Sequence, residues 1–469
     1  MGLREKLAAL GERERARRAE IERLLAANPG VLRRASELSA APETDHLRLS
    51  RAPLHELLPS LKPVTAAGGG RLLASSAVVP ARPIEPPVAH PRGYCFAGET
   101  VVRTLRLPVP GDAMAVLAGE DSIRGVALER LAFLDTETTG LMGNTGTYAF
   151  LVGLGYFRAS GDGYDFVCEQ YFMEDFCHEP AMLDHLGGRL REFDAFVSFN
   201  GRAYDLPLLQ TRFIMNRMRV NLDRPHLDLL VPCRRMLRPR IGSCSLSNVE
   251  AAVLGVRRMH DIDGSLIPAI YLDYVRGGRA DRLVPVLDHN AQDVISMGAL
   301  LAHLAGLVSD PIHPGADDAW VCIGAAEMLR RCGRTDEARA WLERAVGSAD
   351  RQGASHARRA LARLLRKSGD FAAEAAIWRA EIQCRGGHRA EAVVELAKVL
   401  EWRLGDLTGA RDLVEQALRD LALTRQVALA GGRSLDSLPL LDRQEADLRR
   451  RLDRLNRRLA NRKALKHRG

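Results

Sequence analysis

The sequence predicts an α/β protein: a mixed sheet flanked by helices, followed by an all-α region of helical repeats. Three observations predict it. Short apolar runs of strand length (LERLAFLD, TYAFLVGLGYF, YDFVCEQYFM, AFVSFNG) share the middle of the chain with amphipathic helical stretches. Two of these runs are joined only by the turn-forming ASGDG and read as an antiparallel hairpin, whereas the later ones are separated by helices. Finally, Gly333, Gly369 and Gly405 stand 36 residues apart, inside CGRTDEARAWLERA, SGDFAAEAAIWRAE and LGDLTGARDLVEQA.

At 469 residues the chain is long enough for two or three domains, and 46% hydrophobic with 27% charged residues is ordinary for a globular protein. No apolar run is expected to span a bilayer, and the charged N-terminus MGLREKLAALGERERARRAE lacks the apolar core of a secretory signal. The eight cysteines are scattered, with no CxxC pair. That argues against a zinc site or a disulfide framework and suits a cytoplasmic location without membrane partners. The net charge of +8 is concentrated: residues 449–469 carry ten Lys or Arg against one Asp, so the rest of the chain is close to neutral. Such a run is either a solvated helical tail or an electrostatic arm for a nucleic-acid backbone.

In chain order, residues 1–29 read as a helix with leucines at near-heptad spacing, and residues 30–93, rich in Pro, Ala and Gly, as a connector. The catalytic-domain candidate covers 94–308. Its first segment, GYCFAGETVVRTLRL, reads as edge strands, and LERLAFLD as a buried strand ending at Asp135. The hairpin strands follow at 147–157 and 164–173. A helix is predicted over 179–193 with Pro180 in its first turn, then a strand at 195–201 and a helix from Tyr204 to Met218. HLDLL gives a short strand, and the last helix runs from about Asp288 to Leu307. Helical repeats are expected over 316–425 and a basic helix or tail over 436–469.

Four acids carry the chemistry: Asp135 and Glu137 in DTETTG, Asp205 in SFNGRAYDLPLL, and Asp293 in LDHNAQDVISM. Each lies at the end or start of a buried element, where a carboxylate is costly unless a cation meets it. Asp135 and Glu137, two apart on a strand, point to one face. Asp205 opens a helix, where the dipole favours a negative charge. Oxygen ligands collected from separate elements suit Mg²⁺ or Mn²⁺, and a pair of such ions is common machinery for cutting phosphodiesters. His289, four residues before Asp293, shares its helix face and is a candidate general base. ATPase, zinc-protease and serine-hydrolase readings find no motif.

The strand order and the strings DTETTG, NGRAYDLPLL and HNAQDV resemble the ribonuclease H-like superfamily, and within it the DEDD-type 3′-to-5′ exonucleases. The likeness is nearest to predicted bacterial exonucleases that share TGTYAFLVGLGYF after the first motif, and it covers about residues 90–305. It implies metal ligation by Asp135, Glu137, Asp205 and Asp293, two Mg²⁺ or Mn²⁺ ions, and a DNA or RNA substrate with a single-stranded 3′ end. The superfamily carries either a His five residues before the last Asp or a Tyr four before it; His289 departs from both. Leu141 resembles the apolar wedge that related enzymes set against the terminal base, and Asn200 is a candidate for orienting the site or a sugar. Gly201 permits the strand-to-helix turn, and Asp228 reads as a residue that supports the ligands or the fold and not as a ligand itself. His260, Asp261 and Asp263 read as a solvated turn.

The C-terminal repeats resemble a tetratricopeptide array, a platform for a protein partner, with a purely structural helical cap as the rival. Two further readings stay open: a catalytically inactive nucleic-acid-binding or adaptor protein, and a structure-selective endonuclease of the same fold.

Overall fold

The computed structural model describes residues 79–80, 95–104, 111–140, 146–160, 163–258, 261–309, 315–384, 389–430 and 438–466. The expected helix over 1–29, most of the 30–93 connector, Leu141 and His260 lie outside the described residues.

Strands β1 (Val79–Pro80), β2 (Cys95–Thr104), β3 (Leu131–Thr138), β4 (Ala149–Ser160), β5 (Gly163–Phe172), β6 (Ala195–Ser198) and β7 (His226–Asp228) form one sheet in the order β1-β2-β5-β4-β3-β6-β7. The β4–β5 hairpin keeps one register from Leu151↔Phe172 to Ser160↔Gly163, and β3 closes it antiparallel on β4. From β3 onward the pairing is parallel, to β6 and then β7. This is a ribonuclease H-like mixed sheet with flanking helices, extended at one edge by β2 and β1. Within the segment expected to give edge strands, Cys95–Thr104 is instead a single ten-residue strand paired on both sides, with β1 and β5.

Helix α1 (Gly111–Ala118) precedes the sheet's central strands. Helices α2 (Glu179–Leu190), α3 (Asp205–Met215), α4 (Leu230–Met236), α5 (Ile267–Val275) and α6 (Val284–Ser309) then cover the sheet. Period-two alternation sorts β3 between two cores: Ala132 and Leu134 pack with Met182, Leu209 and Tyr271, while Leu131 and Phe133 pack with Val294, Met297 and Leu301 of α6. Phe133, Phe157 and Phe166 make an edge-to-face triad under α6, with centroids 5.0–5.6 Å apart.

The GLG in β4 is explained by this helix. A Cβ on Gly153 would lie 2.6 Å from Asn290 Oδ1, and one on Gly155 2.5 Å from Val294 Cγ1. Two missing side chains thus let α6 lie directly on the strand. Contrary to the expectation that no apolar run would span a bilayer, one helical stretch among the described residues passes that test. Ala280–Ser309 is long and apolar enough to cross a membrane by length and composition, but 56% of its most apolar stretch is buried in the fold. Its apolarity answers to two packed faces.

The C-terminal region is all-helical: α7 (Ala319–Arg331), α8 (Thr335–Val346), α9 (Arg351–Ser368), α10 (Phe371–Gln383), α11 (Arg389–Trp402), α12 (Leu407–Ala430) and α13 (Leu438–Lys466). Gly333, Gly369 and Gly405 turn three helical hairpins with φ of 77°, 79° and 67°, a region that favours glycine. The hairpins continue the sheet domain's core. Val321, Met328, Leu342 and Leu361 share one apolar cluster with Met236 and Leu301, and a Cβ on Gly324 would lie 2.7 Å from Met236 Cγ. The basic run forms part of α13, whose Leu448 and Leu455 are buried against α11 and α12.

Candidate functional site

The four acids meet at the C-terminal end of β3. Asp135 and Glu137 continue the Leu131–Phe133 face and so turn toward α6, which carries His289, Asn290 and Asp293 within its first three turns. Asp205 arrives from the opposite face as the first residue of α3, and the Thr136 hydroxyl, which alternation puts on that face, donates to its Oδ1. The turn ahead of α3 is tight. Asn200 adopts a left-handed φ of 71°, and Gly201 passes so close that a Cβ there would stand 2.8 Å from Asp205 Oδ2.

Asp228, at the end of β7, holds this turn. It accepts from the backbone N–H of Asn200 at 2.7 Å, of Arg202 at 3.3 Å and of Leu230 at 3.1 Å. All three contacts are with backbone N–H groups, of the turn and of the start of α4. The Ser198 hydroxyl, 2.8 Å from His226 Nε2, accepts from Gly201 N on the inner side of the same turn.

Three of the four acids, Asp135, Asp205 and Asp293, accept a hydrogen bond from a side chain of the protein. Asn290 Nδ2 donates to Asp135 Oδ2 at 2.8 Å, and its own Oδ1 accepts from Gln170 Nε2 at 2.9 Å. Arg258 donates to Asp293 Oδ1 and forms a two-pronged pair with the fully buried Glu250 at 2.6 and 2.7 Å. His289 is held through Nδ1, 2.7 Å from Asp261 Oδ1, leaving Nε2 at 3.9 Å from Glu137 and 3.7 Å from Asp293. The shorter contact, with the Asp261 carboxylate, favours Nδ1 as the N–H and Nε2 as the basic nitrogen, against Arg258 Nη1, which stands 3.3 Å from the same Nδ1.

The electrostatics are those of an acidic cluster compensated only in part, by Arg258. Burial, then the charges of Asp293, Asp205 and Glu137, push Asp135 well above the usual carboxylate range. Burial followed by Asp293 and Asp205 raises Glu137 to about 8, with Arg258 opposing. Burial raises Asp205 to about 6 against the Thr136 hydrogen bond, and raises Asp293 against Arg258 and His289. As the side chains stand, no group of three or more His, Cys, Asp or Glu among the described residues is posed to hold a metal ion. The donor set nevertheless fits a hard divalent cation: four carboxylates from three elements, all oxygen, held where a positive charge would relieve both burial and mutual repulsion.

The structure therefore brings Asp135, Glu137, Asp205, His289 and Asp293 together, and sets Asn200 beside them. Sequence reasoning missed Thr136, Gln170, Asn290 and Arg258, and it took Asp261 for a solvated turn although it orients His289. Asn290, one turn from Asp293 and adjacent to His289, could have been found from its helix face; Arg258 and Asp261 sit in a loop with no pattern to betray them.

A family model described as RNase_H superfamily matches residues 132–305, from within β3 through most of α6. The chain is also 30% identical over 347 residues to the uncharacterized protein YprB of Bacillus subtilis (strain 168), an alignment covering 73% of this chain and 80% of that protein.

Proposed function

Since this chain belongs to the RNase H superfamily, we propose that its acidic cluster is the active site of a metal-dependent nuclease, a 3′-to-5′ exonuclease acting on single-stranded ends of DNA or RNA. The observation that carries this reading is the meeting of Asp135, Glu137, Asp205 and Asp293 at one strand end, each with its proton affinity raised. Superfamily nucleases typically use divalent metals, and these four acids would hold a pair of Mg²⁺ or Mn²⁺ ions. When bound, such ions lower the pKa of water and neutralise charge at the scissile phosphate.

The chain's own residues supply the rest. His289 Nε2, directed between Glu137 and Asp293, takes the proton of the attacking water, and Asp261 steadies the imidazolium that results. Asn290 keeps the Asp135 carboxylate oriented, and the Asp228-bound turn sets the position of Asp205. The helical hairpins, joined to the sheet by a shared core, are the candidate platform for a protein partner.

The test is cleavage of a 5′-labelled single strand in Mg²⁺ or Mn²⁺, with matched DNA and RNA. Laddering from the 3′ end that disappears with EDTA and with Asp135→Ala supports the proposal. Cutting of a circular strand would move it to an endonuclease, and absence of cleavage to an inactive nucleic-acid-binding protein of the same fold.

A further inference from the structure

A second cleft, of opposite charge, adjoins the acidic centre. It holds about 680 Å³, within the range that accommodates a nucleotide-sized ligand. Phe199 and Leu230 line it with apolar surface, Arg234 and Arg238 with positive charge, and Asn200 and Ser243 with polar groups. Asn200 joins the two sites: the next residue, Gly201, is the one whose Cβ would stand 2.8 Å from Asp205 Oδ2.

The two arginines are the informative part. Arg240, close by in the chain, is engaged with Asp318 at 2.7 Å and Asp350 at 3.0 Å. Arg234 and Arg238 are exposed, and among the described residues neither pairs with a carboxylate. Both line the cleft. Burial raises the thiol of Cys244, on the cleft wall, and the field of both guanidiniums opposes it. Two guanidiniums without a carboxylate partner among the described residues, in a mixed polar and apolar cleft that shares Asn200 with the turn leading to Asp205, are placed to hold an anion that the acidic centre itself repels.

We propose that this cleft is a phosphodiester subsite, in which Arg234 and Arg238 bind backbone phosphates of the strand whose end reaches the acidic centre while Phe199 and Leu230 pack its sugar or base. It rests on the nuclease reading for the direction of the strand, but not for the binding itself. Phosphate contacts of this kind fix register and are indifferent to sequence. They also answer the near-neutrality of the body outside residues 449–469, which otherwise offers little general attraction to a polyanion.

The experiment is binding of fluorescent single-stranded DNA and RNA oligonucleotides in EDTA, where no cleavage occurs, across a salt series. Wild type is compared with Arg234→Ala/Arg238→Ala, the charge reversal Arg234→Glu/Arg238→Glu, and Arg240→Ala as a control. The double alanine variant should lose tenfold or more in affinity and reduce the log–log salt slope by about 1.4, the value for two phosphates on a single strand. Reversal should abolish binding, and Arg240→Ala should leave the slope unchanged. Unaltered melting would show that the variants fold. A mononucleotide competitor that displaces the strand at similar concentration would assign the cleft to free nucleotide and overturn the proposal. So would unchanged affinity and slope in the double variant, whether or not wild type cleaves. Loss of binding in variants of a protein that cleaves nothing would sink the nuclease reading and leave the subsite standing.

Discussion

Arg258 and Asp293 are joined through the same Nη2 atom that reaches the fully buried Glu250 at 2.6 Å, so one guanidinium ties a member of the acidic centre to a carboxylate with no access to water. Removing one partner of such a pair leaves an uncompensated buried charge. Arg258→Ala should destabilise the fold by about 3–5 kcal/mol, read from urea unfolding. Arg258→Ala/Glu250→Leu should recover most of it. A loss under about 1 kcal/mol in the single variant would mean that Glu250 does not need the cation.

The acidic centre makes stability depend on pH in a direction opposite to ordinary acid denaturation. Burial and neighbouring charge raise Glu137 from 4.5 to about 8, and burial raises Asp205 from 3.8 to about 6. A carboxyl that holds its proton more tightly in the native state contributes stability fully below its unfolded pKa and loses it as pH rises through the native one. In EDTA the protein should therefore lose stability from about pH 4 to about pH 8, with the Asp205 share lost by about pH 6. Excess Mg²⁺ should flatten the profile, since a bound cation favours the ionised form. Unfolding midpoints measured with and without Mg²⁺ check this; parallel profiles would argue against metal at these acids.

Asn290 bridges Gln170 and Asp135 with both ends of its amide and is fully buried. Asn290→Ala leaves the Gln170 amide and the Asp135 carboxylate each short of a partner. It should cost roughly 1–3 kcal/mol in stability. Metal affinity, measured by calorimetry, should fall about 10–100-fold, the usual effect of losing a group that orients a ligand. Unchanged affinity would make Asn290 a packing residue only.

Gly153 offers a mechanical test of the same assembly. A methyl group there meets Asn290 Oδ1 at 2.6 Å and Val294 Cγ2 at 2.7 Å, so α6 must lift from β4. Gly153→Ala should lower stability by about 1–3 kcal/mol and nuclease activity with it. Gly188→Ala is the control, because a Cβ on Gly188 meets nothing within 4 Å.

What the sequence made legible follows from local periodicity. Alternation along LAFLDTE set Asp135 and Glu137 on the Phe133 face, and the regular spacing of Gly333, Gly369 and Gly405 marked three turns that the structure places at positive φ. The partners of the acids were not legible, because Arg258 reaches Asp293 across 35 residues from a loop without a repeating pattern. Nor was the continuity of the repeats with the sheet. Val321 and Met328 look like the inner face of any helical hairpin until Met236 is found against them.

The basic C-terminal helix supplies the last prediction. Glu401, 2% exposed, accepts from Arg454 at 2.7 and 3.0 Å and from Arg458 at 2.8 Å, with Arg451 at 3.9 Å. Arg458 also covers the exposed ring of Trp402 at 4.3 Å. Part of the positive run is thus structural and not a free arm. Glu401→Ala would leave three guanidiniums facing one another over α11, while Leu448 and Leu455 still favour docking. Two of the arginines are more than a third exposed, so solvent screens much of the repulsion. The expected result is local: trypsin cleavage within 438–466 accelerated about tenfold, corresponding to ~1.4 kcal/mol in helix opening, with the global unfolding midpoint nearly unchanged. Cleavage at the wild-type rate would show that the leucine stripe alone seats the helix.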